Sequence, residues 1–170
     1  MKLRLVPFTL EAEPVALAAL AVMTADGHAQ FLLGYRPDMA WSDFVRRQLD
    51  NQRGVDLPAG IVASAQLMAV VDAELVGRVS IRFKLNEYLF ERGGHIGYYV
   101  LPDFRNQGYA TEMLRQSLIV LRSHTNDRCL VTCEDDNAPS ARVAEKCGGV
   151  LERVVPAGDG APALRRYWIE

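Results

Sequence analysis

With 170 residues, 49% hydrophobic and 24% charged, the chain has the size and composition of one globular domain with a sizeable core. Its formal net charge of −2 speaks against nucleic-acid binding by bulk electrostatics and does not by itself select a cationic partner. No apolar run approaches the roughly 20 residues that span a bilayer, and no charged-then-apolar leader opens the sequence, so no membrane role is expected and the cytoplasm is the expected compartment.

Lys2–Pro7 alternates Leu3 and Leu5 with Lys2 and Arg4 and reads as a first strand. Glu11–Met23 is apolar and alanine-rich, and Glu13-Pro14 suits the first turn of a helix. Thr24–Pro37, with its glycines and proline, reads as loop. Asp38 is placed to cap the next helix, where Trp41, Phe44, Val45, Gln48 and Leu49 share one face. Core packing is the expected use of Phe31, Tyr35 and Trp41. After a loop over Asn51–Gly60, Ala65–Val71 and Leu75–Leu85 form a hairpin about Asp72-Ala73-Glu74. Asn86–Arg92 connects to a strand over Gly94–Val100. Pro102, lacking a donor, stops that strand. Arg128–Cys133 is a further strand, Asn137–Cys147 a helix stopped by Gly148-Gly149. Strands over Val150–Val155 and Leu164–Ile169 flank the turn-rich Pro156–Pro162.

This order predicts an α/β (α+β) fold, a mixed and mostly antiparallel sheet flanked by helices. No repeat or linker divides residues 1–170, so one domain is expected. The cysteines are Cys129, Cys133 and Cys147, an odd count without zinc spacing. Cys129 and Cys133 face the same way on a strand and read as buried small hydrophobes. No metal site and no disulfide are expected.

Between strand Gly94–Val100 and the helix that follows lies the stretch of clearest chemical meaning. Asp103–Gly108 is a short polar turn. From Tyr109 the pattern is helical, with Ala110, Met113, Leu114, Leu118 and Leu121 on one face. A glycine at the mouth of a helix lets backbone approach a ligand closely. The first helical turn offers free N–H groups at the positive end of the dipole. Strand, glycine turn and helix together make a place to hold phosphate.

Arg105-Asn106-Gln107-Gly108-Tyr109-Ala110 resembles the (Gln/Arg)-x-x-Gly-x-(Gly/Ala) loop of the GNAT superfamily of N-acetyltransferases. Asn137 through Gly148 resembles that family's Asn-x-x-Ser helix ending in Lys-x-Gly. The resemblance covers about Leu75 to Val155, and two motifs in order with a strand between them are far more specific than one. It implies a GNAT fold, with residues 1–64 as an acceptor-side helical part and 65–155 as an acetyl-CoA-binding core. It further implies acetyl-CoA as co-substrate, no metal, and acetyl transfer by direct attack in a ternary complex. The acceptor would be a primary amine on a small molecule or peptide; dimers are common in the family.

By that resemblance the backbone of Arg105, Asn106, Gln107, Gly108, Tyr109 and Ala110, with the Thr111 hydroxyl, holds the pyrophosphate. Main-chain groups near Tyr98, Tyr99 and Val100 pair with the pantetheine arm, and the amide near Val100 polarises the thioester carbonyl. Asn137 and Ser140 contact the cofactor, Asn137 also being a good helix N-cap. The sequence departs from the pattern at Ala144, where many members carry the tyrosine that protonates the leaving thiolate. That task falls to Tyr98, Tyr99, Cys133 or water. His95 and Glu134 are the candidates for the base that neutralises the amine; His28 and His124 receive no role. Ala144 also motivates the alternative of a CoA-binding sensor or scaffold with lost catalysis.

Overall fold

The computed structural model describes residues 2–158 and 160–170. The chain runs through β1 (Arg4–Pro7), α1 (Glu13–Ala25), α2 (Trp41–Arg53), β2 (Ser64–Val71), β3 (Glu74–Arg82) and β4 (Ile96–Val100). It continues through α3 (Tyr109–Arg122), β5 (Cys129–Glu134), α4 (Ala138–Lys146), β6 (Val150–Val155) and β7 (Leu164–Ile169). The described strands form two antiparallel sheets, β1-β2-β3-β4 and β5-β7-β6, flanked by helices as the sequence predicts. Asp159, within the expected loop Pro156–Pro162, lies outside the described residues.

β3 is central and is buried without alternation from Leu75 to Ile81, because both its faces are covered. On one face Met113, Leu114, Leu118 and Leu121 of α3 pack on Val79, Ile81 and Ile96, joined by Cys129, Val131 and Cys133 of β5. On the other, Met23 of α1 and Trp41 and Phe44 of α2 pack with Phe31, Met68 and Leu75. Each such side chain removed from water contributes about 1.5–3 kcal/mol. Trp41 and Phe31 are core, as expected, and Trp41 Nε1 donates to Thr9 O at 2.9 Å.

That anchoring of Trp41 corrects one expectation. The residue before α2 is Ala40, with extended backbone and no side-chain cap. Asp38 falls two residues short, and its carboxylate accepts from Arg36 Nε at 3.2 Å instead. Boundaries shift elsewhere. A 3₁₀ turn at Leu10–Ala12 precedes α1, α2 runs on to Arg53 before Gly54 stops it in the left-handed region, and β3 ends at Arg82.

The two sheets meet at one point. His95 N donates to Leu130 O at 2.7 Å, and Leu130 N donates to His95 Nδ1 at 2.9 Å. Gly94 permits this approach: its φ is +65° and ψ −178°, and a Cβ there would lie 2.7 Å from Leu130 O. Only glycine holds that conformation without strain. The kink also moves the start of β4 from Gly94 to Ile96. Past this junction no ladder joins β4 to β5 among the described residues, leaving a gap with open main-chain edges.

Candidate functional site

The gap between β4 and β5 is bounded at one end by the turn that enters α3. Asn106 has φ +62° and Gly108 φ +84°, so the chain reverses through two left-handed positions before Tyr109. Its chain neighbours aside, no side chain or backbone of the described residues lies within 4 Å of the place a Gly108 Cβ would take. Among the described residues the amides from Gln107 to Thr111 find no acceptor in the chain. They stand free at the positive end of α3, a 14-residue helix, in the arrangement that binds anions.

The edge of β4 supplies the next groups. Leu101 N donates to Val76 O and Arg82 N to His95 O, so the odd-numbered residues of β4 bond to β3. By strand alternation the main chains of Tyr98 and Val100 face the gap. Tyr99, expected beside them, spends its main chain on the ladder with Arg78. Its ring lies on the opposite face, beneath the Arg78 guanidinium at 5.0 Å and beside the His28 ring at 4.9 Å.

Arg105, whose backbone is expected at the phosphates, has its side chain engaged elsewhere. Its guanidinium pairs with the Asp26 carboxylate at the end of α1, and its Nε donates to Val100 O at 3.2 Å. The hydrogen bond from Arg105 holds the Asp26 carboxyl below the usual range, helped by its charge and that of His28. Both partners come from opposite ends of the sequence's first two-thirds, so no local pattern announced the pair.

The two faces of the gap differ. Tyr98, Cys133 and Ser140 lie toward α4, where the Tyr98 hydroxyl is 2.8 Å from Ser140 Oγ. Burial pushes the Tyr98 phenol up to about 12 against the smaller opposing effect of Ser140. Burial likewise raises the Cys133 thiol. Asn137 caps α4, its side-chain oxygen accepting from Ser140 N at 3.1 Å. Ala144 is fully buried, so a phenol reaches this side of the gap from β4 instead of from α4.

On the other face, strand alternation sets Thr132 and Glu134 of β5 with Gly97 and Tyr99 of β4. Glu134 is exposed at the end of β5. His95 sits at the closed end, its Nδ1 taken by the Leu130 amide; burial lowers its pKa first of all. It lines a separate groove with Phe83, His124 and Trp168.

A cavity of about 900 Å³ opens on this second face, between α2, the loop after it, β2 and β3. Leu33, Met39, Ile61 and Leu89 give it apolar walls, and Ser80 and Arg82 reach it from β3. Arg82 was missed in the sequence, where a lone arginine near a strand end reads as a solvated charge. Among the described residues no cluster of His, Cys, Asp and Glu is arranged to hold a metal, and no helix is long and apolar enough to cross a membrane.

A stretch of 90 residues is 30% identical to an uncharacterized N-acetyltransferase, YnaD, of Bacillus subtilis; it covers 50% of this chain and 51% of that relative, so the match spans about half its length. Mycobacterium smegmatis RimJ, solved with a CoA disulfide, superposes with a TM-score of 0.69 at 20% identity, over 98% of this chain and 81% of that one. The microcin C7 self-immunity acetyltransferase MccE, solved with acetyl-CoA and AMP, gives a TM-score of 0.66 at 20% identity, over 98% and 91%. The acetyltransferase (GNAT) domain family matches residues 2–150, which carry the first sheet, the turn into α3, and β5 and α4 across the gap, and the chain belongs to that family.

Proposed function

We propose that the protein transfers the acetyl group of acetyl-CoA to a primary amine, by direct attack while both are bound. The observation that carries this is the free amides from Gln107 to Thr111 standing beside the open main-chain edge of Tyr98 and Val100. The amides meet the pyrophosphate. Tyr98 and Val100 pair with the pantetheine arm as an added strand would. The Val100 N–H, free while its carbonyl is held by Arg105, polarises the thioester carbonyl. Asn137 and Ser140 lie along the cofactor's path at the start of α4. Residues 65–155 act as the cofactor core, and 1–64 contribute to the acceptor side. That MccE was solved with acetyl-CoA supports the cofactor.

The amine enters from the face of Gly97 and Tyr99. Glu134 takes its proton there, whereas His95 serves the strand junction. The neutral nitrogen attacks the thioester carbon; the C–N bond forms, the C–S bond breaks with its electron pair leaving on sulfur, and the nitrogen passes its next proton to solvent to give the neutral amide. Tyr98, kept protonated by burial, gives its proton to the thiolate on the opposite face. Calorimetry with acetyl-CoA and release of free thiol with an amine panel test the reading. Gly108→Val, which drives a β-branched residue into a left-handed position, should weaken acetyl-CoA binding at least about tenfold. Absence of acetyl-CoA binding by the wild-type protein would overturn the reading.

A further inference from the structure

We propose that Arg82 anchors a carboxylate on the acceptor, so that the acetylated amine belongs to an amino-acid-like molecule carrying an apolar side chain. This rests on the acetyl-transfer reading and narrows its acceptor.

Arg166, Arg78 and Arg82 stand on strands and are satisfied differently. Arg166 is fully buried and its Nε meets Glu152 at 2.6 Å. Arg78 is fully buried, donates to Phe31 O at 2.6 Å and Gln30 O at 2.7 Å, and stacks on two aromatic rings. Arg82 is half-buried and lines the 900 Å³ cavity. Its one side-chain hydrogen bond among the described residues is Nη1 to Gly93 O at 3.3 Å. Among the described residues no carboxylate reaches it within ion-pair distance, although Asp43, Asp50 and Asp56 contribute to the same cavity. Asp43 is held by Arg46 at 2.8 Å. Arg82 therefore keeps a planar fork of N–H donors open toward the cavity. A guanidinium partly withdrawn from water without a counter-charge is poorly solvated, and burial lowers its pKa accordingly. A carboxylate entering the cavity meets that fork with two parallel hydrogen bonds.

The position fits transfer. A Cβ on Gly97 would lie 3.2 Å from Ser80 Oγ and 3.5 Å from Arg82 Nη1. The missing side chain lets the Arg82 guanidinium lie close over β4 at Gly97, and Tyr98, whose main chain faces the gap, is one Cα step of about 3.8 Å further. A carboxylate on Arg82 thus leaves only a few bonds between itself and an amine at the thioester. This spacing favours an α-amino acid or a similar compact zwitterion. Met39, Val55, Ile61 and Leu89 line the remainder and suit an apolar side chain.

The experiment compares kcat/KM for leucine, methionine and phenylalanine with that for their carboxamides, in the wild-type protein and in Arg82→Met and Arg82→Lys. Melting curves establish that each variant folds. The acids should exceed their amides at least about tenfold, and Arg82→Met should cut that preference about 10- to 100-fold through KM. Arg82→Lys should keep part of it. Stabilisation of the CoA-loaded protein by N-acetyl amino acids over their amides gives a readout without turnover. Equal rates for acids and amides, or a preference untouched by Arg82→Met, overturn the inference alone. So does acetyl-CoA binding with neither turnover nor selective stabilisation by the acids. Failure to bind acetyl-CoA removes the acetyl-transfer reading and this inference with it.

Discussion

Replacing Gly94 with alanine tests whether close backbone approach at this residue holds the two sheets together. The perturbation has two parts. Gly94 sits at φ +65° and ψ −178°, a region that costs a non-glycine residue about 1–3 kcal/mol. The new Cβ would also lie 2.7 Å from Leu130 O and 3.3 Å from Thr132 N, both backbone atoms that cannot turn aside. Relieving that contact moves β4 away from β5 and stretches the His95–Leu130 hydrogen bonds, each contributing about 1 kcal/mol. The sum is about 4 kcal/mol, or a fall in Tm of roughly 8–16 °C for a domain of this size. Gly148→Ala is the control. It has φ +86° and nothing within 4 Å of its Cβ position, so only the left-handed penalty of about 1 kcal/mol remains, roughly 2–4 °C. Thermal unfolding by circular dichroism reads both variants. Equal Tm losses in the two would show that the contact with Leu130 does not hold the junction, and the account of the gap would fail with it.

Tyr98→Phe keeps the ring and removes the proton donor; kcat should fall roughly 100-fold with little change in KM for acetyl-CoA, and a kcat within about threefold of wild type would assign the thiolate proton to water. The same variant checks an alkaline effect. The Tyr98 phenol ionises at about 12 in the folded chain but near its ordinary 10.0 when unfolded. Stability is therefore lost as pH rises through that window, and the loss in Tm between those pH values should be smaller in Tyr98→Phe. On the acid side, His95 is depressed below 6.5 by burial. The unfolded chain takes up that proton first, so Tm should fall as pH drops below about 6.5, and His95→Gln should flatten the slope.

Much of the fold was legible because it is local. The periodicity of Met113, Leu114, Leu118 and Leu121 gives α3 its buried face, and Gly108 with the turn before it marks the helix entrance. Strand alternation placed Cys129 and Cys133 on one face, as they are found in the core. Where local signals were read alone they failed. Asp38 has capping chemistry, but the helix starts where Trp41 can reach Thr9. Leu75–Leu85 reads as one arm of a hairpin, but nothing local says that helices cover both its faces.

The candidate site divides in the same way. Sequence alone determined which backbone could turn an array of amides outward, since glycine at a helix mouth and a proline that ends a strand are properties of a few adjacent residues. Only the tertiary structure decided that Arg105 is held by Asp26, that His95 ties the sheets together, that a phenol from β4 faces the start of α4, and that Arg82 meets no acid among the described residues beside a cavity. These depend on residues up to 79 positions apart being brought within hydrogen-bond reach or kept from it, and no spacing along the chain records which distant charges a folded strand will meet.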